Sequence, residues 1–112
     1  MAEHEPLAPR DLMILAVLAE GRQHGYGIIK AVEERSRGKL LLDPANLYRV
    51  LRRIRRDGWI EEVGTGREDE ARRRTYGLTS RGRSILKSEV ERLDRLLAQV
   101  RPALAVESRG GR

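Results

Sequence analysis

Apolar residues fall along this chain in four stretches with helical spacing and two with the alternation of strands. The first follows Pro9, a residue suited to the opening helical position, and runs through Leu12-Met13-Ile14-Leu15-Ala16-Val17-Leu18-Ala19 to a stop at Gly21. It is apolar nearly all round, which predicts a helix buried on two sides, with Leu12 and Leu15 offered to a second subunit. The second, opening at His24-Gly25-Tyr26-Gly27, places Ile28, Ile29 and Val32 on one stripe and fades at Ser36-Arg37-Gly38, which suits a C-cap. Leu40-Leu41-Leu42 is too short for a helix and reads as a short strand.

The third stretch is the most sharply bounded. Asp43 is a strong N-cap, Pro44 suits the first helical position, and Gly58 suits the position just past the end. Between them Leu47, Val50, Leu51 and Ile54 recur at i, i+3, i+4 and i+7 and form one core-facing stripe. The opposite pole carries Ala45, Arg49, Arg52 and Arg56, with Asn46 and Arg53 beside it and Tyr48 and Arg55 on one flank. A helix of that kind is suited to lie between a core and a polyanion.

Trp59-Ile60-Glu61-Glu62-Val63 and Arg74-Thr75-Tyr76-Gly77-Leu78-Thr79 read as two strands joined by a polar, charged loop. Two such strands directly after an arginine-faced helix predict a winged helix-turn-helix. Thr79 or Ser80 caps the last helix, where Leu86, Val90, Leu93, Leu97 and Val100 step by 4, 3, 4 and 3 as the a/d seam of a coiled coil. Pro102 is expected to end it. The predicted fold class is therefore mainly α with a small β-wing. A winged helix-turn-helix domain spans 7–79, a C-terminal dimerisation helix spans 80–101, and 1–6 and 102–112 are flexible ends.

Composition narrows the partner. The 112 residues suffice for one domain, and with no Phe and a single Trp the core rests on Leu, Ile and Val, which makes dimerisation a useful source of stability. The net charge is +6, and it is concentrated. Residues 43–58 carry five Arg against Asp43 and Asp57, and 64–83 carry six Arg against Glu68, Asp69 and Glu70, so each stretch nets +3. An arginine-rich composition explains the preference for Arg over Lys but not this clustering, which suits a phosphate-facing surface. The absence of Cys excludes disulfides and thiolate metal sites. His4 and His24 without a convergent carboxylate set do not make a metal site, and no cofactor motif or catalytic constellation is present. No apolar run approaches a membrane span and no secretory signal pattern opens the chain, so a cytoplasmic location and no membrane partner are expected.

Three stretches in register carry a family resemblance: HGYGIIKAVEER at 24–35, LYRVLRRIRRDGWIEE at 47–62 and RRRTYGLTSRGR at 72–83. Together they resemble the PadR family of bacterial transcriptional regulators over roughly 75 residues. The resemblance implies a winged helix, a C-terminal dimerisation helix and operator binding, usually as a repressor. It places His24, Gly25 and Tyr26 at the opening of the helix that braces the recognition helix, and Leu47 and Tyr48 at its Leu-Tyr pair, with the Tyr at a backbone-contacting position. The wing motif falls on Arg72, Arg73, Arg74 and Tyr76, and the LT..GR signature on Leu78, Thr79, Gly82 and Arg83. Two positions depart from the pattern. The usual Pro after the Leu-Tyr pair is Arg49, which adds a charge and alters base preference, and the usual Thr cap of the first helix is Ala8.

On this basis Asn46 and Arg49, in the first turns of the recognition helix, are the candidates for base edges, since Asn pairs bidentately with adenine and Arg with guanine. Tyr48, Arg52, Arg53, Arg56, Arg72, Arg73 and Arg74 are candidate phosphate contacts, which position without specifying. Dimerisation is assigned to Leu12, Leu15, Leu86, Val90, Leu93, Leu97 and Val100. Tyr26, Tyr76 and Trp59 are read as packing residues. The expected partners are double-stranded DNA bearing an inverted-repeat operator and a second copy of the chain as a homodimer. Two competing readings are a winged helix that meets an acidic protein through its arginine face and a non-specific architectural nucleic-acid binder.

The resemblance also allows a small-molecule effector of unidentified kind, which the sequence restricts to one that is aliphatic, differently sited or absent. Helix 80–100 contains no Phe, Tyr or Trp, so it offers a flat drug no π face on which to stack. Flat aromatic drugs are expected to bind weakly. Fluorescence of the single Trp59 should change little when they are added; quenching with a Kd of about 1 μM, or roughly −8 kcal/mol, would contradict this.

Overall fold

The computed structural model describes residues 4–64 and 74–109, with side chains as far as residue 106 in the last helix. The elements are α1 (Pro9–Glu20), β1 (Gln23–His24), α2 (Gly25–Arg35), α3 (Pro44–Arg56), β2 (Ile60–Val63), β3 (Thr75–Leu78) and α4 (Ser80–Arg109). The three strands form one antiparallel sheet in the order β1-β3-β2. Ile60 pairs with Leu78 and Val63 with Thr75, so β2 and β3 are the stem of a wing. The tip between them, which includes Arg72 and Arg73, lies outside the described residues.

The core is a single cluster in which Ile14, Leu15, Ile28, Val32, Leu47, Leu51 and Ile54 are almost wholly enclosed, with Trp59, Ile60, Tyr76 and Ile85 sealing the sheet side. Tyr76 and Trp59 therefore pack, as their positions in the sequence suggest. α1 lies at the centre and touches α2, β3 and α4. That environment absorbs most of its all-round apolarity inside one protomer. Leu15 is fully buried and has no surface left for a second subunit, whereas Leu12 keeps part of its surface.

Other local expectations change. Leu40-Leu41-Leu42 is not a strand. The Leu40 amide is satisfied by the Ser36 hydroxyl at 2.9 Å; Leu42 is buried in the core and Leu40 half-buried against it, while Leu41 stays exposed. Gln23 and His24 do form a strand, against Tyr76 and Thr75. His24 also caps α2, its Nδ1 accepting from the Gly27 amide at 3.1 Å. α2 closes at Ser36-Arg37-Gly38 as expected, with Ser36 at the C-cap, Arg37 and Gly38 both left-handed at φ 55° and 78°, and the Gly38 amide donating to the Glu33 carbonyl at 2.9 Å. At the start of α1, Ala8 provides no side-chain cap.

The largest revision concerns α4. Thr79 caps it, its hydroxyl accepting from the Gly82 amide at 3.0 Å and donating to the Gly58 carbonyl at 2.6 Å. The helix then runs through Pro102 to Arg109 instead of stopping there. A proline withdraws one donor from the ladder. The turns around Pro102 are exposed, so the carbonyl four residues back is open to solvation in place of the lost bond.

Near the N-terminus, His4 and Leu7 reach α4. Glu89 of α4 is completely buried and accepts from the Leu7 amide at 3.0 Å and from Arg92 Nε and Nη2 at 2.8 and 2.6 Å, with His4 Nδ1 at 3.8 Å. The hydrogen bonds from Arg92 hold the carboxyl far below its ordinary range, at about 2, against the opposing effect of burial. A depressed carboxylate stabilises the fold above its unfolded pKa of 4.5, and that contribution is lost as pH falls toward about 2. Glu89→Gln should therefore lower the melting temperature at neutral pH by about 5 °C. The difference from wild type should close as melts are recorded at progressively lower pH below 4.5; a gap of constant size would show that the charge is irrelevant.

Candidate nucleic-acid interface

α3 is fixed at both ends. At its start Asp43 Oδ1 accepts from the Asn46 amide at 2.8 Å, and Pro44 loses no bond at the first position. At its end Gly58 is left-handed at φ 83°, with Gly58 N donating to Arg55 O and Trp59 N to Ile54 O, both at 3.0 Å. These two bonds form the Schellman pair that satisfies the last carbonyls. Leu47, Val50, Leu51 and Ile54 are all buried, so the opposite face must be exposed.

That face divides into residues with different commitments. Arg49, Arg52 and Arg56 are exposed, and none has an ion pair to an acid among the described residues. Asn46 and Arg49 form one polar chain with the cap: Asn46 Nδ2 donates to Asp43 Oδ2 at 2.8 Å and Arg49 Nη2 donates to Asn46 Oδ1. Arg53 is engaged on one side, where its Nη2 donates at 2.5 Å to Asp11 of α1, a carboxylate that is 4% exposed. Arg55 pairs at 2.8 Å with Glu62 of β2, and Arg74 Nε lies 3.4 Å from the same carboxylate. The base of the wing is thereby tied to the flank of α3. Arg72 and Arg73 cannot be placed, since both lie outside the described residues.

Tyr48 sits half-buried on the flank with its hydroxyl against Gly25, where an added Cβ would come within 2.7 Å of it. A glycine there is what lets the opening of α2 meet α3. Tyr26 differs from its packing assignment: it is 63% exposed beside that contact, with Lys30 Nζ 5.9 Å from its ring centre. The Gly-Tyr-Gly run gave no apolar spacing from which its exposure could be read.

Sequence reasoning also missed Arg10. It lines a cleft of about 420 Å³ together with Arg49, Val50, Arg52, Arg53 and Arg56. Arg10 stands in the first turn of a helix whose apolar pattern drew attention to core packing, and nothing local links it to a segment some forty residues away.

A second surface lies along α4. Leu86 is half-buried against the core, but Val90, Leu97 and Val100 are 41–48% exposed, and Leu96 and Leu104 more so. Because the helix passes Pro102, the seam gains Leu104, four residues beyond Val100. Among the described residues no cluster could hold a metal ion, and no helix is long and apolar enough to cross a membrane.

A capped helix with an arginine face, braced by a second helix and followed by a β-hairpin, defines a winged helix-turn-helix protein. The sequence pattern of the PadR-like family of transcriptional regulators matches residues 14–88, and the chain belongs to that family, whose members are regulators rather than enzymes. Among curated proteins it is similar to an uncharacterised 37.1 kDa protein of transposon TN4556 from Streptomyces fradiae, at 33% identity over 80% of this chain and 24% of that protein. The chain thus spans about a quarter of that relative's length. Its fold is similar to a transcriptional regulator from Clostridium thermocellum, with a TM-score of 0.70, 26% identity and coverage of 82% of this chain and 89% of the other. It is also similar to Bacillus subtilis PadR solved in complex with operator DNA, with a TM-score of 0.65, 22% identity and coverage of 76% and 48%.

The contact between Tyr48 and Gly25 can be checked directly. Gly25→Ala should lower stability by about 1–3 kcal/mol through overpacking. Adding Tyr48→Phe, which removes the nearest atom, should recover part of the loss in a double-mutant cycle of melting curves. Strict additivity would mean that the two residues are not in contact.

Proposed function

We propose that this chain is a sequence-specific DNA-binding regulator that acts as a homodimer on an inverted-repeat operator, with repression as its outcome. The observation that carries the reading is the exposed face of Arg49, Arg52 and Arg56, none of which pairs with an acid among the described residues, on a helix whose opposite face is buried. α3 would enter the major groove, with Asn46 and Arg49 at base edges and Arg52, Arg56, Tyr48 and the wing arginines on phosphates. The polar chain from Asp43 through Asn46 to Arg49 supports the first assignment, because it holds both side chains at the leading end of the helix.

The apolar seam from Val90 to Leu104 supports the dimer. It repeats at a/d spacing on a helix that extends past the core, and a second copy offers the matching seam. Leu86 and Leu12 would contribute at the edge, and two protomers would present two α3 helices to a palindromic duplex.

Enrichment of bound duplexes from a random pool should recover one inverted repeat, and binding should weaken with salt at a log–log slope of about −5, for roughly three phosphate contacts per protomer. Arg49→Ala should relax the preference at one position of each half-site by about 1–3 kcal/mol. Leu93→Glu should give a monomer by sedimentation at roughly ten micromolar, with weakened binding. Uniform recovery of all sequences would favour a non-specific binder, and no binding with a flat salt response would favour an acidic protein partner.

A further inference from the structure

The cleft between the first turn of α1 and the outer face of α3 contains a feature that basic character alone does not explain. Five arginines line it, yet a carboxylate lies beneath them. Asp11 is 4% exposed; its Oδ2 accepts from Arg53 Nη2 at 2.5 Å, and its Oδ1 lies 3.5 Å from Arg10 Nε. Acting only through its charge, a buried acid at this point would weaken an anion site. Its geometry has a different effect. It draws one nitrogen of each of two guanidinium groups, from separate helices, toward a common floor.

The remaining donors of both arginines stay available. The Arg10 and Arg53 side chains are 38% and 40% exposed, and both line the cleft. Arg10 Nε and Asp11 Oδ1 are buried without a hydrogen bond, so Arg10 is drawn toward the acid but not locked to it. An arginine fork has five N–H donors, and a carboxylate on one side leaves enough for a bidentate grip on an oxyanion at the other. Side chains already oriented from below lose less rotamer freedom on binding than free surface arginines do.

We propose that Arg10 and Arg53, held together by Asp11, form a seat for one backbone phosphate of the bound duplex, so that α1 grips DNA beside α3. This rests on the DNA-binding reading above. Arg10 and Arg53 touch the phosphate, and Asp11 is a positioning residue. The seat lies off the leading end of α3 and carries no base information, so it adds affinity to every sequence alike.

The test uses fluorescence anisotropy of the full chain on a labelled random-sequence duplex, titrated over a range of salt. Arg10→Ala should reduce the log–log slope by about one unit per protomer and weaken binding about tenfold, equally on random and enriched duplexes. Arg95→Ala makes the same charge change on the exposed outer face of α4 and should leave the slope unaltered. Asp11→Asn gives the most discriminating sign. It adds one positive charge per protomer, so an acid that merely repels DNA would bind it more tightly when neutralised. The proposed seat requires weaker binding and a shallower slope from a variant that melts as a folded protein. If Asp11→Asn does not fold, Arg10→Ala decides alone. An unchanged slope for Arg10→Ala, or tighter binding by folded Asp11→Asn, overturns the seat. A wild type that shows no salt-dependent binding overturns the DNA reading itself, which keeps the two failures apart.

Discussion

The burial of four residues on one face of α3 sets the orientation of everything outside it. Leu47, Val50, Leu51 and Ile54 are each at most 4% exposed. Turning the helix by one residue, about 100°, would expose leucines and drive an arginine into the core. Each lost aliphatic contact costs about 1.5–3 kcal/mol, and a buried unpaired guanidinium costs several more. The direction of Arg49, Arg52 and Arg56 therefore follows from residues that never meet the solvent. The caps then fix where the helix starts and stops, which places Asn46 and Arg49 at its leading end.

Much of this was legible because each signal was local. Periodicity located α3, its stripe and its arginine pole, and Asp43, Pro44 and Gly58 located its ends, all as observed. What escaped were features that only the fold assembles. The two-residue β1 has no period, and its reason for existing is the edge offered by β3. Leu15 looked available to a partner because a sequence does not show how many neighbours surround α1. The tie between Arg53 and Asp11 could not be read because the two lie forty-two positions apart. Pro102 looked like a stop because proline disfavours a helix interior. The apolar and alanine positions beyond it favour continuation, and the local rule lost.

The end of α4 has energetic consequences. Every described side chain from 94 to 106 is exposed, a stretch of about 20 Å at 1.5 Å per residue. A helix of that length is marginal in water without packing. Leu96, Leu97, Val100 and Leu104 therefore present an apolar face whose burial would supply the stability that the protomer's own core does not give this segment. In the proposed dimer, folding of the outer helix and association become one event, and the length of the helix depends on protomer concentration.

Both buried acids in the described structure stand at joints of α1. Asp11 ties its first turn to α3, and Glu89 ties the residues just before it to α4. Neither is a strong source of stability in itself, since desolvation offsets much of what an ion pair returns. What a fixed donor–acceptor geometry provides is a defined position. An apolar contact tolerates sliding by a fraction of a side chain, whereas the three donors on Glu89 and the short charged bond from Arg53 to Asp11 leave less room for it. α1 is thus registered against α3 on one side and against α4 on the other. Reading two half-sites requires two α3 helices at one separation and angle. In a dimer joined through α4, that separation is set along the path from α4 to α1 to α3. The two carboxylates stand at its two joints, where play would blur the spacing most.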